Sequence, residues 1–189
     1  MPLLHPDLFV PHLVSLLGAV DGLRTLDAGC GRGRNTLFLA RLGAVVTGVD
    51  HAPEMVAACR RSATAEGLKV CCVAGVAETL PFASNCFDLA LCTSVLESMG
   101  APAAAAAAAE LHRVVRPGGH LLVVTAALEG SEAGAGGAPP YQARLTSRKQ
   151  LARWFGGWRT AELLHLRLVE PASAAVSAQW ALIARRAAG

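Results

Sequence analysis

At 189 residues the chain has the length of one domain, and 53% hydrophobic against 16% charged residues excludes an intrinsically disordered segment. A formal net charge of +3 is too small to mark a nucleic-acid surface by itself, and charges or prolines interrupt every long apolar run, which argues against a bilayer span. The start, MPLLHPDLF, has neither a basic leader region nor a small-residue cleavage site, so a cytoplasmic protein is expected.

Apolar spacing at Leu8, Phe9, Leu13, Leu16 and Leu17 predicts a helix from about Pro6 to Leu17, so that residues 1–22 form a helical cap beside or over the mouth of a ligand crevice. After Asp21-Gly22 a short apolar strand (Thr25, Leu26) runs into Gly29, Gly31 and Gly33, where the missing Cβ atoms allow a sharp turn and a close approach to a ligand. A helix carrying Leu37, Phe38 and Leu39 comes next, and then a second buried strand from Ala44 to Asp50. Pro53 opens a helix that runs to about Glu66, with Gly67 as its stop, and Lys69 to Ala74 makes the third strand. Phe87 to Cys92 makes the fourth. Pro102 starts a surface helix through the alanine run Ala103–Ala109, which carries no chemistry, and Gly118-Gly119 turn into a fifth strand, His120 to Thr125.

From 126 to 146 the composition shifts to Gly, Ala, Ser and Pro, which predicts a mobile loop at the C-terminal, ligand-facing edge of the sheet. Thr146 or Ser147 caps a helix reaching Phe155, Gly156-Gly157 end it, and two strand-like runs, Thr160–Val169 and Val176–Ala184, close the chain. No helix fits between those two, so they form an antiparallel pair. The expected fold is α/β: one domain over residues 1–189, a Rossmann-like three-layer α/β/α sandwich with a mostly parallel seven-stranded sheet and an antiparallel last strand.

The glycine turn and the strand after it define a nucleoside-binding crevice. Asp50, ending the second strand, stands beside the glycine turn, where its carboxylate can accept hydrogen bonds from both hydroxyls of a ribose. A dinucleotide fingerprint would read G-x-G-x-x-G and seat a pyrophosphate, but here the glycines run G-x-G-x-G and Arg34 takes the third position. Asp27, two residues before the first glycine, repels a pyrophosphate and suits a cationic amine.

Asp27-Ala28-Gly29-Cys30-Gly31-Arg32-Gly33 and Asp50 resemble the first motif and the second-strand acid of the class I S-adenosylmethionine-dependent methyltransferases. The run Gly31 to Thr36, with Phe38-Leu39-Ala40 and Gly43, is similar to the small tellurite-resistance and thiopurine-type members. Gly75-Val76-Ala77-Glu78-Thr79-Leu80-Pro81-Phe82 resembles the family's adenine-contacting loop, Phe87-Asp88-Leu89-Ala90 its fourth strand, and Glu110 to Gly119 the helix and turn before its fifth. The resemblance covers about residues 24–126. It implies S-adenosylmethionine as cofactor and S-adenosylhomocysteine as product. In the cofactor site it implies, Asp27, Gly29, Gly31 and Gly33 hold the methionine end, Asp50 the ribose, and Val76 and Ala77 the adenine, while His51 packs on adenine or ribose. Cys30, Asn35, Met55, Glu78 and Thr93 complete the set. One position departs from the pattern: the family commonly carries an acid where this chain has Val76, so adenine selectivity falls to backbone groups such as the Ala77 N–H.

Methyl transfer is an in-line displacement that needs little beyond alignment. A hydroxyl or protonated amine acceptor also needs a base, for which Glu97 is the best-placed residue, with His51, His112 and Tyr141 behind it. Six scattered cysteines without C-x-x-C spacing read as reduced core thiols, with no metal site expected. Trp154, Phe155 and Trp158 read as anchors of a helix to the sheet, and Pro139-Pro140-Tyr141 lacks the amide or acid of the amino-methylating box it resembles. A small acceptor, an open site for a macromolecule, and a pocket capped by the second copy of a homodimer all fit so short a chain. The small-molecule acceptor is the reading adopted, with no membrane partner and no nucleic acid. A cofactor-binding module without turnover, acting as a partner or sensor subunit, is the alternative, and a nucleic-acid or protein methyltransferase comes third.

Overall fold

The computed structural model describes residues 5–128, 145–169 and 176–188. Seven strands, β1 (Arg24–Ala28), β2 (Val45–Asp50), β3 (Cys71–Ala74), β4 (Phe87–Thr93), β5 (Val115–Ala126), β6 (Trp158–Val169) and β7 (Val176–Arg186), form one sheet in the order β3-β2-β1-β4-β5-β7-β6. Pairings among β1 to β5 are parallel, and β7 runs antiparallel to both β5 and β6, as expected from the sequence. From β1 the chain builds outward through β2 and β3, then returns to lay β4 and β5 on the other side. A switch point therefore falls between β1 and β4, at whose C-terminal ends such sheets hold ligands.

Helices cover both faces because the buried strands present apolar side chains with period two. On β4, Leu89 and Leu91 face a layer with Phe9, Val10 and Leu13 of α1 (Phe9–Leu17) and Leu39 of α2 (Arg34–Arg41). Ala90 and Cys92 face the opposite layer, formed by α4 (Ala101–Val114) and α5 (Arg148–Trp154). Helix α3 (Pro53–Ala65) packs Val56 and Cys59 against Cys72 of β3. The alanine run is half of a core face rather than a surface helix: Ala104, Ala107, Ala108 and Leu111 recur at helical spacing and are fully buried, the small side chains letting α4 lie close on the sheet.

Boundaries differ from the expectation where packing overrides local signals. Helix α1 starts at Phe9, whose N–H is accepted by Asp7 Oδ1 at 3.1 Å. β3 starts at Cys71. β5 starts five residues early, because Gly118-Gly119 lie in a register shift of the β4–β5 ladder between Phe87 and Leu89 instead of forming a turn before the strand. β6 begins at Trp158, with Phe155 and Trp158 buried as anchors. Ser147 caps α5 through a reciprocal pair with Gln150. Most of the 126–146 segment, including Pro139, Pro140 and Tyr141, lies outside the described residues. Cys30, Cys59, Cys72 and Cys92 are buried, but Cys71 is exposed.

Candidate functional site

β1 leads into a turn in which Gly29 (φ 78°), Gly31 (φ 54°) and Gly33 (φ 96°) are all left-handed, a conformation costly to any residue with a Cβ. A Cβ on Gly29 would lie 2.2 Å from Val95 Cγ2, and one on Gly33 2.7 Å from Cys59 Sγ, whereas one on Gly31 would meet nothing within 4 Å. Open space thus borders the middle of the turn.

Asp50 reaches this turn across the β1–β2 ladder. Its Oδ2 accepts the Gly31 N–H at 2.8 Å and its Oδ1 the Ala52 N–H at 3.0 Å, with His51 Nδ1 3.4 Å from Oδ1. A carboxylate oxygen accepts two hydrogen bonds, so each retains capacity for a ribose hydroxyl. The His51 ring is largely exposed above it.

Asp27 is only 1% exposed. Thr36 Oγ1 donates to its Oδ2 at 2.6 Å, and its Oδ1 is buried with no partner among the described residues. Burial pushes its pKa up to about 6, against the lowering effect of Thr36. An unpartnered carboxylate oxygen between β1 and the first turn of α2 suits a cationic group, and so fits an α-ammonium.

Asn35 and Thr93 have their polar atoms engaged within the chain. Asn35 Oδ1 accepts the Asp7 N–H at 2.8 Å, and its Nδ2 donates to Thr93 Oγ1 at 2.9 Å; both side chains are buried. They brace the segment before α1 against the end of β4, assisted by Arg34 Nη2 donating to Asp7 Oδ2 at 3.1 Å. Cys30 is buried against Gly48, and Met55 sits half-buried in the first turn of α3. Val76 is 43% exposed beyond β3, next to buried Ala77 and half-buried Glu78.

Glu97 lies in a single 3-10 turn, Leu96–Ser98, two residues beyond the end of β4. Its Oε2 accepts from Thr125 Oγ1 at 3.0 Å, which leaves Thr146 Oγ1, 3.2 Å away, to donate to Thr125. Burial pushes the Glu97 carboxyl above the ordinary carboxylate range, and the charge of Asp7 adds to that push. Ser94, one residue past β4, holds a left-handed φ of 58° with its hydroxyl 3.5 Å from Arg34 Nη2.

Asp7, Arg34, Thr125 and Thr146 also meet at this site, and no local sequence pattern marks them for it. His112 is not brought to it: its ring packs edge-to-face on Trp158 at 5.6 Å, and Trp158 pairs with Arg186 at the opposite end of the sheet. Among the described residues no three His, Cys, Asp or Glu are arranged to hold a metal ion. Nor, among them, is any helix long and apolar enough to cross a membrane.

Known proteins share this fold. A structure of a S-adenosylmethionine-dependent methyltransferase from Methanosarcina mazei superposes with a TM-score of 0.76 at 21% identity, over 89% of this chain and 94% of that one. Haemophilus influenzae TehB gives 0.75 at 20% identity, over 94% and 61%. The malonyl-[acyl-carrier protein] O-methyltransferase of Pectobacterium atrosepticum is 36% identical over 116 residues, 61% of this chain and 44% of that protein. The chain spans less than half the length of the curated relatives it matches. The model of one family, described as a methyltransferase domain, matches residues 26–123, more than half of the chain, and the protein belongs to that family.

Proposed function

We propose that the chain binds S-adenosylmethionine in the glycine-turn crevice and transfers its methyl group to a small-molecule acceptor at the C-terminal ends of β4 and β5, with Glu97 receiving the acceptor's proton. The observation that carries the reading is a pair of carboxylates held around one left-handed glycine turn. Asp27 Oδ1 is buried and has no partner among the described residues, Asp50 keeps lone-pair capacity beside Gly31, and the space over Gly31 is open. When bound, the cofactor supplies a methyl group on a sulfonium, an electrophile that needs no further activation. The chain's part is to align and to exclude water, which can lower a barrier by roughly 7–11 kcal/mol.

Glu97 suits a base because burial raises its proton affinity while Thr125 fixes its orientation. Two matched relatives carry O-methyltransferase names, which supports an oxygen acceptor. The alternative of a binding module without turnover draws on Val76, and methyl transfer to any acceptor excludes it.

Calorimetric titration of the purified protein with S-adenosylmethionine and S-adenosylhomocysteine tests the first half. Micromolar binding is expected, and no binding at millimolar ligand overturns the reading. For the second half, Glu97→Gln is expected to leave product affinity within about twofold while cutting kcat by about 10²–10⁴-fold on an acceptor found by panel screening. The base must be ionised to act. The raised pKa therefore puts the acidic limb of the kcat profile above the usual carboxylate range, and Glu97→Gln removes that limb.

A further inference from the structure

Glu110 and Arg113, on the last turns of α4, take no part in the proposed transfer, yet their side chains hold one end of the loop after β3. Glu110 Oε2 accepts the Leu80 N–H at 2.7 Å. Arg113 donates to the Phe82 carbonyl at 2.6 Å and to the Leu80 carbonyl at 3.0 Å. The two side chains also pair with each other, Nε to Oε1 at 2.7 Å and Nη2 to Oε2 at 2.8 Å, which draws the Glu110 carboxyl below its ordinary range. At the other end the Gly75 N–H donates to the Asp50 carbonyl at 3.0 Å, so the loop is tied to the residue placed at the ribose. Between these anchors the N–H groups of Val76, Ala77 and Glu78 have no partner among the described residues.

We infer that Glu110 and Arg113 are a positioning pair that determines base specificity, by aiming these free N–H donors at a ring-nitrogen acceptor. The inference rests on the reading that this loop holds the cofactor's adenine. An acid at position 76 would select the exocyclic amine directly; Val76 has no polar atom, so discrimination falls to backbone donors, whose direction is only as fixed as the loop. A rigid N–H facing the Watson–Crick edge pairs with N1 of adenine, an acceptor, and opposes N1 of hypoxanthine, which carries a hydrogen. Two opposed donors leave both unsatisfied, the case in which recognition rejects most strongly.

The test is calorimetry on the full chain with S-adenosylhomocysteine and S-inosylhomocysteine, which differ in the base alone. The unsubstituted protein is expected to prefer the adenine ligand by about tenfold or more. Arg113→Met is expected to bring that ratio close to one. Arg113→Lys, which keeps a charge but loses the fork, falls between, and Asp50→Ala weakens both ligands while preserving the ratio. Glu110→Gln keeps an acceptor for the Leu80 N–H and loses only the charge pair. It serves as the second variant should Arg113→Met melt below the assay temperature, and is expected to lower the ratio with a small change in melting. A ratio that survives these substitutions while both affinities fall together makes the pair merely structural and overturns the inference. Equal binding of both bases by the unsubstituted chain removes the adenine reading of the loop, and the positioning role with it.

Discussion

On the β1–β2 side of the switch point the polar groups around the glycine turn come from one stretch of chain, Asp27 to Asp50. On the β4–β5 side Glu97 is met by Thr125 and Thr146, and Asp7 approaches from before the first helix. The first side is shaped by backbone conformation, since three left-handed glycines and one ladder of strand pairing place Asp50 on the Gly31 N–H. The second is shaped by tertiary packing, and each contact depends on elements far apart in sequence. A site of the first kind fails at single backbone positions. One of the second kind loses turnover when a side chain changes, without losing the fold.

The sharpest way to break the first side is Gly29→Ala. The new methyl group meets Val95 Cγ2 at 2.2 Å in a backbone whose φ of 78° already penalises it. Together the strain and the overpacking are expected to cost about 4 kcal/mol and to abolish product binding, read by thermal melting and calorimetry. Gly31→Ala, with open space around it, sharpens the point. Its loss of stability is expected to be smaller, and on the proposed reading its methyl group takes up space meant for the cofactor, so binding falls as well.

Asp27 should show the conflict between stability and binding. Its folded pKa of about 6 lies above the ordinary 3.8, so the folded state holds the proton more tightly than the unfolded state. That contribution to stability is complete below about pH 4 and is lost as pH rises through 6, an effect on the order of 2–3 kcal/mol. Asp27→Asn keeps an oxygen for Thr36 and removes the buried charge. At about pH 7.5 it is expected to melt higher than the unsubstituted chain, with the gap closing toward about pH 4. If Asp27 is the proposed counter-charge of the ammonium, product affinity should fall about tenfold. A variant that melts lower at every pH would contradict the assignment.

Asp50→Ala acts within the same crevice but leaves the glycine backbone alone. On the proposed reading it removes two ribose contacts along with the acceptor for the Gly31 N–H, and is expected to weaken product binding by about 2 kcal/mol, some thirtyfold. Glu97→Gln should not reproduce this. If it weakened product binding as much as Asp50→Ala, the two sides would be one site energetically and the contrast between them would fail.

The same contrast decides what is legible in the residues. The succession of strands and helices along the chain, the antiparallel ending and the glycine turn follow from local signals: apolar runs, closely spaced glycines, and the absence of a helix between β6 and β7. Glu97 is singled out by sequence because it sits one short turn past a recognisable strand. Thr125 and Thr146 carry no signal, since a threonine within or beside a strand is ordinary until the fold sets it against a carboxylate. Asn35 reads as a site residue by position in the turn, and only the packed structure shows its amide tied to Asp7 and Thr93. The alanine helix reads as surface because composition does not reveal which face is buried; Ala107 and Ala108 are inaccessible because α4 lies flat on the sheet.

Val76→Asp is the smallest change and the one that separates backbone from side-chain recognition. Val76 is 43% exposed, so a carboxylate placed there stays hydrated in the free protein and costs little in stability. If adenine lies against this loop, the new acceptor meets its exocyclic amine and adds about 1 kcal/mol, a roughly fivefold tighter product complex by calorimetry. The inosine analogue carries an oxygen at that position and should bind more weakly to Val76→Asp than to the unsubstituted chain, because carboxylate and carbonyl repel. Tightening for both ligands would indicate a general electrostatic gain, and no change for either would place the base elsewhere. Only opposite shifts locate the purine edge at position 76, and they would show that the crevice half of the site tolerates a change in side-chain chemistry wherever the backbone that frames it is left intact.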